Sequence, residues 1–149
     1  MFNVLIFYTK LEISMFPKET KILIIDDFTS LRQIVAKQLK ELGFSNITEA
    51  EDIRKAWELI NNANPPFGLI LSDWNMPGGN GIDLLKRIRS DDRNKKTPFI
   101  MMTTESETSK IINAVMEGSN NFIVKPFNLE ILKTKLEATH KAMTSATHS

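Results

Sequence analysis

Carboxylates follow two apolar segments of the chain, at the positions where strands of a buried sheet would end. KILIIDDF places Asp26 and Asp27 after a run of aliphatic residues, and LILSDWNMPGG places Asp73 after another. Burying a carboxylate at the end of a core strand is costly unless the charge is used there. Three carboxylates held together repel one another and favour a hard divalent cation, and oxygen ligands without His or Cys suit Mg²⁺.

Other polar groups follow predicted strands in the same way. Thr103 and Thr104 end a third apolar segment, and Lys125 ends a fourth. A hydroxyl donor and an ammonium beside a metal-bound carboxylate are the groups that phosphoryl transfer needs around the migrating group. The combination favours Asp73 as a nucleophile that forms an acyl phosphate.

Each of these residues also has a structural explanation when it is taken alone. Paired aspartates after a strand are common as a helix cap, and Asp73 before NMPGG could open a turn. Thr103 and Thr104 could cap the following helix. The functional interpretation therefore depends on their joint placement at one edge of the sheet.

Five apolar or β-branched segments alternate with helical patterns, which predicts an α/β fold with a doubly wound, five-stranded parallel sheet. Ligands of such sheets bind beyond the carboxyl ends of the strands.

We expect Thr29 or Ser30 to cap the first helix and Gly43 to end it, and we expect a fourth helix to end at Gly118. The predicted strands are residues 22–25, 46–49, 69–71, 99–102 and 122–124.

Composition sets broad limits on function. The chain has 149 residues, a formal net charge of +1 and no cysteine. This balance gives no bulk field for nucleic acid or anionic lipid, and the missing thiols exclude disulfides and thiolate metal sites. We assign residues 17–143 to one domain and residues 144–149 to a polar tail. Residues 1–16 are set apart as an N-terminal extension, with an added edge strand or a partner contact as the alternative.

Four motifs in order, ILIIDDF, LSDWNMPGGNGIDLL, IMMTTE and NFIVKPF, resemble the receiver domains of two-component response regulators, and most closely the single-domain chemotaxis receivers. The resemblance covers about residues 18–141. It implies a (βα)5 flavodoxin-like fold with strand order 2-1-3-4-5. It also implies a cytoplasmic phosphoprotein without nucleic-acid binding or membrane insertion. The implied partners are a histidine kinase as phosphodonor, the flagellar motor switch or another output protein, and a phosphatase.

The resemblance also assigns roles at the carboxyl edge of the sheet. Asp73 would be the phosphoacceptor. Asp27, Asp73 and the backbone carbonyl of Asn75 would bind Mg²⁺ directly, and Asp26 would act mainly through water. Lys125 would contact both the phosphoryl group and Asp73.

A conformational switch is implied next to this site. Thr103 would move toward the phosphoryl group, and Phe122 would move inward behind it. Asn75 and Glu105 occupy positions where the family tunes hydrolysis of the acyl phosphate, and both match chemotaxis receivers with fast self-dephosphorylation. Thr104 replaces a small apolar residue and adds bulk near the path of the ring.

Two further features follow from the resemblance. Phe122 stands where chemotaxis receivers carry tyrosine, so a ring remains but the phenolic hydroxyl is lost. Pro126 would follow a cis peptide bond. The output surface would comprise residues 110–116, residues 121–125 and the last helix.

Other functions fit part of the same pattern. The chain could be a phosphate shuttle or sink in a phosphorelay, or a receiver that controls a different partner. A phosphoenzyme hydrolase would place a general-acid aspartate two residues after the nucleophile, and Asn75 occupies that place. The sequence therefore favours a signalling protein with intrinsic phosphotransfer and self-dephosphorylation over an enzyme.

Overall fold

Five parallel strands form a single sheet in the computed structural model, which describes residues 14–76, 78–104, 114 and 117–146. The spatial order is β2-β1-β3-β4-β5, which confirms the predicted fold class and strand order. The strands are β1 (Ile22–Ile25), β2 (Ile47–Ala50), β3 (Leu69–Asp73), β4 (Phe99–Thr104) and β5 (Asn121–Lys125).

Alternating side chains divide the core between the two faces of the sheet. Leu23 and Ile70 belong to one buried cluster, whereas Ile22, Ile24 and Leu69 belong to the other. Successive residues of a strand point to opposite faces, so a strand buried on both faces reads as a continuous apolar run. This explains why the central strands could be predicted from hydrophobicity alone.

Helices cover both faces. Helices α2 (Ile53–Asn62) and α3 (Gly81–Arg89) pack on the first cluster. Helix α1 (Thr29–Glu41) and the last helix (Leu129–Ala146) pack on the second cluster. The predicted fourth helix falls largely outside the described residues, but Ser119 N–H donates to Ala114 O at 3.0 Å and Gly118 has φ +100°.

The ends of α1 were predicted with mixed success. Gly43 ends the helix as expected, since it adopts φ +100° and Phe44 N–H donates to Leu39 O at 3.1 Å. The predicted Thr29 or Ser30 cap is wrong. The N-cap is Phe28, which makes no side-chain cap hydrogen bond.

The segment before β1 contributes to the core, although the sequence analysis set residues 1–16 apart. Phe16 is only 5% exposed and packs in the second cluster. Its ring meets the ring of His140 edge-on, with centroids 5.0 Å apart, and Ser14 Oγ is hydrogen-bonded to His140 Nδ1. Among the described residues, no helix is long and apolar enough to cross a membrane.

Candidate functional site

The sheet brings three carboxylates together at its carboxyl edge. Asp26 and Asp27 directly follow β1, and Asp73 is the last residue of the adjacent strand β3. Each contributes an oxygen atom to a cluster whose members all lie within 4.8 Å of one another. Asp26 is fully buried, Asp73 is 7% exposed and Asp27 is half-buried. The predicted acidic cluster is therefore a real spatial group.

Lys125 supplies a positive charge to this cluster from the end of β5. Its Nζ lies 2.7 Å from Asp73 Oδ1 and 3.7 Å from Asp26 Oδ2. The backbone N–H of Trp74 also donates to Asp73 Oδ1, at 2.9 Å. One oxygen of Asp73 is thus held by two donors, which fixes the direction of the carboxylate.

Burial raises the pKa of Asp73 above the usual value of an aspartate. The hydrogen bond and the charge of Lys125 oppose this increase, whereas the neighbouring charge of Asp26 adds to it. The N–H of Trp74 also acts to lower the pKa. Because the increase prevails, one lysine does not offset the cost of burying the charged carboxylate.

The acidic cluster fits a hard divalent cation. Asp26 Oδ2 and Asp27 Oδ1 are buried and have no hydrogen-bond partner among the described residues. The other oxygen of Asp26 accepts from Phe28 N–H at 3.0 Å. A cation at the cluster would take both oxygens as ligands, and an all-carboxylate donor set suits Mg²⁺ or Ca²⁺ better than Zn²⁺.

The loop after β3 is held tightly against the site. Gly81 N–H donates to Trp74 O at 2.7 Å, which closes the loop at the start of α3. A Cβ atom at Gly81 would lie 2.6 Å from Asp73 O and 2.8 Å from Met101 Sδ. The sequence analysis did not identify Gly81, because GGNG is typical of any tight turn.

Arg32 is a second supporting residue that the sequence analysis missed. Its Nη1 donates to the backbone oxygen of Asp26 at 2.6 Å, and its Nε lies 3.0 Å from Glu49 Oε1. The side chain therefore connects α1 to the first aspartate and to β2. A single arginine in an amphipathic helix gives no sequence signal for this contact.

An apolar surface lies beside the acidic cluster. Phe28, Leu31 and Ile34 are 61%, 40% and 53% exposed, respectively. They line one groove together with Asp26 and Lys125, so the groove reaches the acidic cluster at Asp26. Three exposed large apolar side chains at one place are more than the scatter expected of an ordinary surface.

Comparisons with known proteins identify the family to which this fold and its acidic cluster belong. The family model of the response regulator receiver domain matches residues 22–137. The chain belongs to the response regulator receiver family. The chemotaxis protein CheY of Pseudomonas aeruginosa is 44% identical over 117 residues, which are 78% of this chain and 93% of that protein. CheY-3 of Vibrio cholerae is 46% identical over 120 residues, 80% of this chain and 91% of that protein.

Solved receiver structures agree with the fold. The structure of the chemotaxis response regulator CheY4 of Vibrio cholerae aligns with a TM-score of 0.74 and 35% identity. The alignment covers 81% of this chain and 98% of that structure. A receiver domain protein from Clostridium thermocellum, at 20% identity and a TM-score of 0.75, has the same fold.

The two residues of the expected receiver switch lie on neighbouring strands. Thr103 is fully buried, and its Oγ1 donates to Thr104 O at 3.3 Å. Phe122 is half-buried and packs against the first core cluster. In the ladder between β4 and β5, Phe122 is opposite Met101, whereas Thr103 is opposite Val124.

The remaining predicted site residues divide into described and undescribed ones. Asn75 is exposed in the loop after β3 and pairs with Asn80 in a short antiparallel ladder. The Lys125–Pro126 peptide bond is cis, as the resemblance implied. Glu105 and most of residues 110–116, which carry the expected dephosphorylation and output functions, lie outside the described residues.

Proposed function

We propose that this receiver domain acts as a response regulator that takes a phosphoryl group from a histidine kinase onto Asp73. The observation that supports this best is the constrained carboxylate of Asp73. One oxygen is held by Lys125 and Trp74, and beside it lie two buried oxygens, Asp26 Oδ2 and Asp27 Oδ1, that have no hydrogen-bond partner among the described residues. The same cluster would hold Mg²⁺, joined in our proposal by the backbone carbonyl of Asn75.

Chemistry at this site follows from the charges. An oxygen of Asp73 attacks the phosphorus atom of a phosphohistidine, the new O–P bond forms and the N–P bond breaks. The electron pair of the broken bond stays on the imidazole nitrogen of the donor. Mg²⁺, when bound, supplies positive charge to the phosphoryl oxygens during the transfer. Lys125 supplies a further positive charge, and its flexible stem would let it move from the carboxylate to the phosphoryl group.

The phosphodonor approaches, in our proposal, along the apolar groove of Phe28, Leu31 and Ile34. The groove shares Asp26 and Lys125 with the acidic cluster, so a helix seated there brings its histidine to Asp73. Apolar contact with these three side chains would give the encounter its affinity.

The output that we propose is phosphorylation-dependent protein binding in chemotaxis, to the flagellar motor switch. The relatives' names support this assignment, since three species' proteins of 44–46% identity are named chemotaxis proteins. Phosphorylation would act by shifting an equilibrium through Thr103 and Phe122. Asn75 and Glu105 would set the lifetime of the phosphorylated form. A phosphoprotein that persists for hours in Mg²⁺ would contradict the fast hydrolysis expected from these two residues.

Intact mass spectrometry after incubation with acetyl phosphate and Mg²⁺ tests the chemistry. We expect a labile gain of one phosphoryl group that is lost in Asp73→Asn and in a magnesium-free sample. An unmodified wild type, or a modified Asp73→Asn, would contradict the assignment. Binding to purified motor-switch protein, with and without beryllofluoride as the phosphoryl mimic, then tests the output. Phosphotransfer onward to a second histidine, without motor-switch binding, would instead indicate a shuttle in a phosphorelay.

A further inference from the structure

Phe122 lies at the edge of the sheet, where a lysine from the opposite layer reaches its ring. β5 is an edge strand, and Phe122 packs on the face covered by α2 and α3. The last helix packs on the other face through Leu132 and Leu136. Lys135 of that helix nevertheless places its Nζ 4.6 Å from the centroid of the Phe122 ring. The side chain therefore passes around the edge of the sheet to make this contact.

The backbone of Lys135 is fixed next to the strand residue that precedes the ring. Asn121 Nδ2 donates to Thr139 Oγ1 at 3.1 Å and to Lys135 O at 3.4 Å. Thr139 Oγ1 also donates to Lys135 O, at 2.7 Å. These bonds tie the helix turn to the start of β5, which fixes the point from which the lysine side chain extends to the ring.

We propose that Lys135 is a positioning residue that holds Phe122 in its present place and thereby restrains the switch. This inference rests on the proposed function, in which the ring moves inward when Asp73 carries a phosphoryl group. Inward movement takes the ring away from the ammonium, so the cation–π attraction is lost in the active state. At a partly exposed site this attraction corresponds to about a two- to fivefold bias in the equilibrium. The missing phenolic hydroxyl makes the ring face the main feature by which this side chain can be held.

This restraint of Phe122 by Lys135, called the clamp below, can be distinguished from a simple charge effect. The two predict opposite changes in the affinity for a phosphoryl mimic when Lys135 is neutralised. If Lys135 acted only as a positive charge near Lys125, neutralising it would weaken the binding of an anionic phosphoryl mimic. If it restrains Phe122, neutralising it raises the fraction of molecules in the binding-competent state, and apparent affinity increases by the same factor.

The experiment is a calorimetric titration of the full chain with beryllofluoride in saturating Mg²⁺, which measures the binding affinity. Lys135→Met keeps the length of the side chain and removes its charge, whereas Lys135→Arg keeps the charge and its attraction to the ring. We expect binding two- to fivefold tighter in Lys135→Met and unchanged in Lys135→Arg. Unchanged or weaker binding in Lys135→Met would overturn the proposal, and so would an equal change in both variants.

A second background tests whether the ring mediates the effect. In Phe122→Leu there is no aromatic face, so Lys135→Met should no longer tighten binding. The same tightening in the presence and absence of the ring would show that Lys135 acts by another route. If the wild type fails to bind beryllofluoride at all, the proposed function fails and the clamp with it. If the wild type binds beryllofluoride and Lys135→Met leaves that affinity unchanged, the clamp is contradicted but the proposed function is not.

Discussion

The ammonium of Lys125 lies 2.7 Å from Asp73 Oδ1 and 3.7 Å from Asp26 Oδ2, so it contacts two carboxylates from two other strands. Its side chain is 16% exposed, and that of Asp73 is 9% exposed. Charges at such depth interact more strongly than surface charges, because water screens them less. The contact therefore links the ends of β1, β3 and β5.

Lys125→Met should destabilise the protein when magnesium is absent. The substitution leaves Asp26 and Asp73 buried without their cation. We expect the free energy of unfolding to fall by about 3 kcal/mol, the lower end of the range for breaking a buried pair, because the Lys125 side chain is 16% exposed. Denaturant titration in a chelating buffer measures the change. Lys95→Met is the control, since Lys95 lies 3.6 Å from Asp92 on the surface and should contribute about 0.5 kcal/mol or less. Equal losses in the two variants would contradict the role of Lys125.

Asp73→Asn should stabilise the magnesium-free protein at neutral pH. Burial raises the pKa of Asp73, so the folded state holds its proton more tightly than the unfolded state does. The stability of the wild type relative to the variant is therefore greatest below the usual aspartate pKa. It declines as the pH rises toward the raised value and is constant above it. Near pH 7 the variant should therefore melt at a higher temperature than the wild type.

Thermal melting of the wild type and Asp73→Asn from acidic to neutral pH tests the sign of this stability difference. Subtracting the two curves removes the titrations that the proteins share. Mg²⁺ should narrow or reverse the difference, because the cation binds the ionised carboxylate of the wild type. A wild type more stable than Asp73→Asn at neutral pH in chelator would show that Lys125 outweighs the burial of the carboxylate.

Most of the fold could be predicted because its signals are local. The central strands are buried on both faces and read as apolar runs, and Gly43 is required at φ +100° to end α1. The acidic cluster could be predicted because parallel strands end at one edge, so residues distant in sequence become neighbours there. Asp26, Asp27 and Asp73 lie together for this reason.

What could not be predicted depends on contacts between distant parts of the chain. Thr29 and Ser30 are good cap residues, but the fold starts α1 one residue earlier, and Asp26 accepts the N–H of Phe28. Phe16 follows a segment with no clear pattern, and it becomes a core residue through contacts with distant parts of the chain, including His140 of the last helix. The contact between Lys135 and Phe122 passes around a sheet edge, which no sequence period indicates.

Asp27→Asn should weaken magnesium binding. Asp27 Oδ1 is one of the buried oxygens without a hydrogen-bond partner among the described residues, and replacing its carboxylate removes one negative charge from the cluster. We expect at least about a tenfold loss of affinity, equivalent to 1.4 kcal/mol. Trp74 fluorescence in a Trp57→Phe background reports binding, since Trp74 adjoins Asp73. Asp92→Asn is the control, as that side chain is 99% exposed; equal affinity in both variants would place the cation elsewhere.

Ile34→Glu should slow phosphorylation by the kinase but not phosphorylation by a small-molecule donor. Ile34 is 53% exposed in the groove beside the cluster, so a charge there should disrupt apolar docking of the phosphodonor. We expect at least about a tenfold slower transfer from a phosphorylated chemotaxis kinase domain, equivalent to 1.4 kcal/mol. The rate with acetyl phosphate should change little. Gln33→Glu introduces the same charge at the adjacent exposed position of α1 and should leave both rates intact. Unimpaired transfer to Ile34→Glu would exclude this groove as the docking surface.

Gly81→Ala should disturb the site through the backbone. The added Cβ would lie 2.6 Å from Asp73 O and 2.8 Å from Met101 Sδ, so the loop after β3 has to move away from the strand. We expect a loss of about 2–3 kcal/mol in the free energy of unfolding, in the range measured for overpacked sites. Phosphorylation by acetyl phosphate should slow as well, because Asp73 and Trp74 shift together. Gly78→Ala is the matched control: no atom lies within 4 Å of its added Cβ, and φ +84° adds only backbone strain of about 1 kcal/mol. Gly81→Ala with full stability and an unchanged phosphorylation rate would show that the loop can move without affecting Asp73.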